Sequence, residues 1–115
     1  MASVALAVKQ CQVALGDSAD LIRAELERGD CQAFRVGDTT VIVRQEEKTL
    51  VVVAVEGTGI RRVIRAIHSN GKRSGFSEWR VHVRDFRLAR IIKRLIGWNG
   101  ESRDASGYII IYGSF

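Results

Sequence analysis

Two kinds of hydrophobic spacing alternate along this chain, and together they predict its elements. Val4, Val8, Cys11 and Leu15 recur at helical intervals, which predicts a first helix ending near Gly16. Asp17 or Ser18 is placed to cap a second helix whose apolar face is Ala19, Ile22 and Leu26, and Gly29 stops it. "CQAFRV" (31–36) then reads as a short strand, "GDT" as a turn with Gly37 at the position needing conformational freedom, and "TVIVRQ" (40–45) as the next strand. "EEK" is a further turn. "TLVVVAV" (49–55) is apolar on both faces, the mark of a central strand covered on both sides.

Helical spacing resumes after two glycines. Ile60, Val63, Ile64 and Ile67 share one face and Arg61, Arg62 and Arg65 the other. "SNGKRSG" (69–75) reads as a loop. "EWRVHVR" (78–84) alternates strictly, with Trp79, Val81 and Val83 opposite Glu78, Arg80, His82 and Arg84. Asp85 is placed to cap a helix with Leu88, Ile91, Ile92 and Leu95 inward and Arg87, Arg90, Lys93 and Arg94 outward. "GWNGESRDASG" (97–107) reads as a loop and "YIIIYGSF" (108–115) as the last strand. This order predicts an α/β (α+β) fold: one mixed sheet of about six strands with helices on both faces. The strand at Leu50 is expected beside the strand at Trp79, joined by a right-handed crossover helix. The terminal strand either closes the sheet internally or is exchanged with a neighbouring subunit.

Composition narrows the class. At 115 residues, with 46% apolar and 27% charged side chains, the chain is long enough for a core and is not disordered in composition. It has no proline, low-complexity linker or internal repeat, so residues 1–115 read as a single domain. No apolar run is long enough to span a bilayer, so no membrane span is expected. "MASVALAVKQCQVAL" has no basic region ahead of its apolar residues and reads as a helix, not a signal peptide. Cys11 and Cys31 lack metal-type spacing, and His68 and His82 stand apart from them, so no metal is expected. The cysteines read as two buried free thiols in a reducing compartment.

The net charge is +5 and the pI about 9.8. The excess lies in residues 61–94, whereas 17–30 is acidic. A basic half points to a polyanionic partner, or else to a solvated arginine face. The basic residues are Arg61, Arg62, Arg65, Arg80, His82, Arg84, Arg87, Arg90 and Arg94. Three of them, Arg80, His82 and Arg84, project from one strand face as a candidate binding surface that His82 tunes near neutral pH. Trp79, Trp98, Phe34, Phe76 and Phe86 read as core.

The element order and the residues at its joints resemble the GNAT superfamily of acyl-CoA N-acyltransferases. The likeness covers almost the whole chain, with a last strand of the usual fold missing or reduced. That family's first signature is a strand, then Arg/Gln-x-x-Gly-x-Gly/Ala, then a helix; here "AVEGTGI" supplies Gly57 and Gly59. Its second signature is matched by Ala89, Ile92, Gly97 and Trp98 in "ARIIKRLIGW". The first signature has a physical basis, because glycines let backbone amides converge on an anion at a helix N-terminus. The resemblance implies that Gly57, Thr58, Gly59, Ile60 and Arg61 hold the pyrophosphate of an acyl-CoA, with the acyl thioester against residues 50–55. It puts the family's Arg/Gln at Ala54 and its general-acid tyrosine at Lys93. Glu56 is the candidate base beside the glycines, with Glu46 and Glu47 in the preceding turn.

The pattern is also similar to small GNAT-like proteins of tailed bacteriophages. The matching residues are Ala54, Glu56, Gly57 and Gly59; Arg80, His82 and Arg84; and Leu88 with Arg90. That likeness implies a non-catalytic virion component, in the particle or the host cytoplasm. It would touch other virion proteins or copies of itself and need no cofactor. The alternatives are an active acetyl-CoA-dependent N-acetyltransferase and a basic protein that contacts nucleic acid through its arginines. Fold alone does not choose among them.

Overall fold

The computed structural model describes residues 3–115; Met1 and Ala2, which fall within the expected single-domain span, lie outside the described residues. The chain begins with α1 (Val4–Gln10) and α2 (Gln12–Leu15). The helix expected to run unbroken to Gly16 is thus interrupted at Cys11, whose backbone leaves helical geometry (φ −97°, ψ 18°). A 3-10 turn (Gly16–Ser18) leads into α3 (Ala19–Arg28), which Gly29 ends in the left-handed conformation (φ 85°). Ser18 does not cap α3: its hydroxyl donates instead to the Leu15 carbonyl at 2.6 Å.

Three antiparallel strands follow, β1 (Cys31–Val36), β2 (Thr39–Glu46) and β3 (Thr49–Glu56). Helix α4 (Ile60–Arg73) then carries the crossover to β4 (Glu78–Val83), which pairs parallel to β3 as the pattern predicts. The helix is longer than expected, because the "SNGKR" of the predicted loop continues it. Gly71 faces inward, where a Cβ would meet the Phe115 ring at 2.5–3.0 Å and Leu50 at 3.1 Å. A residue that reads as a helix breaker is here the one that fits a crowded contact. Asp85 accepts from the Arg87 amide at 2.8 Å and caps α5 (Phe86–Leu95). The predicted loop 97–107 contains another strand, β5 (Gly100–Arg103), too short and polar to show in the pattern. The terminal strand β6 (Ile109–Ser114) lies between β4 and β5, so it closes the sheet from within.

The described residues form one six-stranded mixed sheet, in the order β1-β2-β3-β4-β6-β5. Helices α4 and α5 cover one face, over Val52, Val55, Trp79, Val81, Ile109 and Ile111. Helices α1–α3 cover the other only at its β1–β3 half, over Cys31, Ala33, Ile42 and Ala54. Strand β3 belongs to both cores, as its apolar run predicts. Not every aromatic residue read as core is buried. Trp79 is buried, but Phe34, Phe86 and Trp98 are exposed, contrary to the sequence reading. Phe34 sits on edge strand β1, and Phe86, the first residue of α5, carries the Arg90 guanidinium over its ring at 5.4 Å.

Candidate active site

The site is where β3 and β4 part. The two strands pair from Thr49 opposite Glu78 to Val52 opposite Val81, and no further. At the same level β3 carries a bulge, for the consecutive β2 residues Ile42 and Val43 pair with Ala54 and Val52 and leave Val53 as the extra residue. A bulge bends the bulged strand and increases its twist, which here coincides with the parting from β4. The result is a cleft of about 350 Å³ lined by the end of β3 (Val55, Glu56), by Gly57 and Ile60, by His82 and Val83 of β4, and by Leu88 and Ile91 of α5. Val13 and Ala14 of α2 roof it, and Val13 is an exposed apolar side chain at its mouth.

Helix α2 is fastened over the cleft by contacts that no local pattern announces. The Tyr108 hydroxyl, at the head of β6, donates to the Leu15 carbonyl at 2.5 Å and lies 3.0 Å from the Ala14 carbonyl. The Ala14 amide donates to Glu56 Oε1 at 2.8 Å. Arg84 places its guanidinium 5.4 Å from the centre of the Tyr108 ring. It also fills the space where a side chain on Gly16 would lie.

Glu56 is thus half-buried at the cleft wall with one oxygen held and the other left for chemistry. The second cleft carboxylate, Asp85, likewise has one oxygen held, by the Arg87 amide of the α5 cap, but it is exposed where Glu56 is half-buried. His82 lies on the opposite wall, and its Nε2 accepts from Arg80 Nε at 2.9 Å. An accepting Nε2 means a neutral ring protonated at Nδ1. Burial pushes the His82 pKa below the usual imidazole value, and the Arg80 and Arg44 charges push it further. Both effects move the His82 proton affinity away from neutrality, against the sequence reading that it tunes the surface there.

Arg80 is not a free surface cation either. It donates to both oxygens of Glu46 at 2.9 Å, Glu46 accepts from Arg44 at 2.9 Å, and Arg44 reaches Glu25 of α3 at 3.0 Å. Burial raises the Glu46 pKa, but the two arginines outweigh it and the net shift is downward. The network runs across the sheet from α3 to the cleft wall and engages Arg80 of the predicted basic face, with the neutral His82 beside it. The others, Arg61, Arg62, Arg65, Arg84, Arg87, Arg90 and Arg94, are exposed. Glu47 lies exposed in the β2–β3 turn. Lys93 does not line the cleft: it pairs with Glu101 of β5 and sits 4.7 Å from the centre of the exposed Trp98 ring.

The glycine corner has a structural explanation of its own. A Cβ on Gly57 (φ 140°) would collide with the backbone of Thr39 and lie 2.7 Å from the Asp38 carbonyl. A Cβ on Gly59 would lie 3.0 Å from Thr39 Oγ1. The corner is thus closed on the β1–β2 turn. The Gly59 amide donates to Thr39 Oγ1 at 2.7 Å, and the Thr58 amide and hydroxyl donate to the Asp38 carboxylate at 3.2 and 2.8 Å. No side chain caps the first-turn amides of α4.

Among the described residues no group of His, Cys, Asp and Glu is placed to hold a metal ion, and no helix is long and apolar enough to cross a membrane. Cys11 and Cys31 are buried, chiefly for which reason their thiol pKa values rise to about 12.

No protein-family model matches the chain, and no curated protein sequence matches it significantly. Solved structures do match in fold. A Bacillus subtilis acetyltransferase in complex with CoA superposes with a TM-score of 0.72 at 12% identity, over 100% of this chain and 95% of that one. An IAA acetyltransferase from Bacillus cereus gives 0.65 at 12% identity, over 93% and 91%. The ribosomal-protein-S18-alanine N-acetyltransferase of Escherichia coli gives 0.65 at 15%, over 96% and 86%. At such identities the likeness is one of fold, and the fold is the GNAT type that the residue pattern implied.

Proposed function

We propose that the chain is an acyl-CoA-dependent N-acyltransferase whose reaction takes place in the cleft between β3 and β4. The observation that carries this reading is the parting of the two strands after Val52 and Val81, which opens a cleft beside the start of α4 with the half-buried Glu56 carboxylate on its wall. Beyond the split, the β3 edge facing β4 is unpaired, so its backbone groups are available to an extended, amide-bearing arm. Ile60, Leu88 and Ile91 supply an apolar floor. The matching neighbour solved with CoA supports the same ligand class.

An acyl-CoA bound there supplies an activated thioester, and an amine displaces the thiolate as the carbon–nitrogen bond forms and the carbon–sulfur bond breaks. The amine must lose a proton. Glu56 Oε2 takes it, directly or through one water, while the Ala14 amide holds Oε1 and so orients the carboxylate. His82 presents only an N–H and stiffens the opposite wall. Lys93 takes no part, and Ala54 leaves the family's arginine or glutamine position without a side-chain donor. Of the residues implied to hold the pyrophosphate, Ile60 and Arg61 have amides that no side chain caps, while Thr58 and Gly59 have theirs engaged by the β1–β2 turn.

Nothing in the cleft or the neighbours favours the virion-component reading. The exposed arginines of α4 and α5 are compatible with a nucleic-acid partner, but the matching fold neighbours are acetyltransferases. Calorimetric titration with acetyl-CoA, followed by acetyl transfer to a panel of primary amines, tests the proposal. Saturable binding and amine-dependent release of free thiol are expected. No heat at millimolar acetyl-CoA would remove it.

A further inference from the structure

Charge is unevenly spread over the molecule. Helix α4 carries Arg61, Arg62, Arg65, Lys72 and Arg73, helix α5 carries Arg87, Arg90, Lys93 and Arg94, and neither contains an aspartate or a glutamate. That leaves nine of the 18 lysines and arginines, and all 13 carboxylates, to the rest of the chain. The two helices pack side by side on one face of the sheet. Among the described residues, only Lys93 of these helix cations meets a carboxylate. Like charges gathered without partners repel one another, and an external polyanion relieves that repulsion.

On α5 the cations come with aromatic rings. Phe86, Arg90 and Arg94 follow one another at four-residue steps, and Arg87 lies on the same side of the helix. Phe86 is 56% exposed, with the Arg90 guanidinium over its ring. Trp98, beyond the other end of the helix, is 44% exposed and lies against Lys93. Each ring thus has a cation beside it and keeps much of its surface in solvent. The result is a row of arginines with an exposed ring at either end.

The composition of this face chooses among polyanions. The core of a protein–protein interface is depleted in charged residues, whereas nucleic-acid interfaces are strongly positive. A helix that lies on a membrane inserts its apolar face, and the apolar face of α5 is spent on the core through Ala89 and Ile92. Arginine outnumbers lysine seven to two on the two helices, and its planar fork suits phosphate oxygens. Exposed rings offer stacking to unpaired bases, which a duplex keeps inside.

We propose that the α5 face from Phe86 to Trp98 binds a single-stranded nucleic acid, with Arg87, Arg90 and Arg94 on its phosphates and the two rings stacked on its bases. Arg61, Arg62 and Arg65 of α4 extend the positive field that draws the strand in. The face adjoins the cleft at Arg87 and needs neither acyl-CoA nor Glu56, so it stands apart from the acyltransferase reading.

The test follows a fluorescein-labelled oligothymidine of about ten nucleotides by anisotropy, between about 50 and 200 mM salt. Affinity should fall steeply with salt, and replacing Arg87, Arg90 and Arg94 together by Gln should reduce the slope of log affinity against log salt by about two. Trp98→Ala and Phe86→Ala should each weaken binding about tenfold, and Trp98→Phe, which keeps a ring, should recover most of the loss. Melting curves confirm that each variant is folded, and Phe86→Ala serves if Trp98→Ala is not. Trp79 is buried, so the oligomer should quench tryptophan emission in wild type and not in Trp98→Phe. No binding at about 50 mM salt overturns the proposal. So do folded ring variants that bind as tightly as wild type, because charge alone would then account for the affinity. Equal or tighter binding of a duplex, of polyglutamate or of phosphatidylserine vesicles also overturns it, and would assign the face to paired nucleic acid, an acidic protein or a membrane. Titration of the same preparations with acetyl-CoA keeps the two claims apart: acetyl-CoA bound without oligothymidine sinks this proposal alone, and the converse sinks the acyltransferase reading alone.

Discussion

The first and second halves of β3 have nearly the same composition and opposite fates. Residues 49–52 are paired on both edges, and Trp79 and Val81 of β4 lie directly beside Leu50 and Val52. Residues 53–56 keep their pairing to β2 through a bulge but have lost β4, and the space beside them is a cleft. Hydrophobicity does not distinguish the halves. What differs is what β4 does next: it ends at Val83, and Asp85 turns the chain into α5, whose Leu88 and Ile91 wall the gap instead of filling it. The closed half has a stability role and the open half a chemical one, and variants at each should separate them.

The largest effect is expected at the closed end. Trp79 is buried and its indole lies over Gly113, where a Cβ would fall 2.6 Å from the ring. Trp79→Ala should destabilise the fold by about 3–5 kcal/mol, measured as a lower denaturant midpoint. A cost under about 1 kcal/mol would mean that the closed end is not the anchor described. Next comes the open end. Glu56→Gln keeps an acceptor for the Ala14 amide, so stability should barely change while kcat falls on the order of 100-fold. Equal losses of stability and activity would erase the distinction between the halves.

The network joining α3 to the cleft wall should give a smaller effect. Glu46→Gln leaves Arg80 and Arg44 short of their shared carboxylate, and because these side chains are partly exposed the cost should be about 1 kcal/mol. Its pH dependence has a definite sign. Glu46 and His82 both have folded-state pKa values below their ordinary ones, so folding disfavours the bound proton in each case. The His82 contribution is fully present above the ordinary imidazole value and is lost as pH falls through its folded-state pKa. The Glu46 contribution is lost lower still, below the ordinary carboxylate range. Urea midpoints measured from pH 8 down to pH 3 should fall in that order, and a midpoint that rises on acidification would contradict both. The smallest effect is expected at Lys93→Met, which breaks a surface pair with Glu101 worth at most about 0.5 kcal/mol and leaves activity unchanged. A tenfold loss of activity in this variant would bring Lys93 back to the reacting thioester.

How much was legible follows from how far apart the interacting residues lie. The central character of β3, the faces of α4 and α5, the Asp85 cap and the glycine corner all depend on neighbours a few positions away, and spacing predicts them. Strand β5 was missed because "GESR" has no apolar alternation, and the end of α4 because Gly71 reads as a breaker unless Phe115 is known to press on it. Glu56 was found as a candidate from its place beside the glycines. Its orienting partner Ala14, 42 positions away, and the Tyr108 hydroxyl that fastens the roof had no local signal.

The sequence by itself determined the order of the elements other than β5 and the break in the first helix, the double burial of β3 and the tight corner after it, because each is written in spacing and in the conformational freedom of glycine. Only the tertiary structure decided the state of that corner. Asp38 and Thr58 are 20 positions apart, and Arg80 meets Glu46 across 34. Whether a backbone amide faces solvent, a ligand or a carboxylate of its own chain depends on which distant strands the fold brings together, and local pattern carries no record of that.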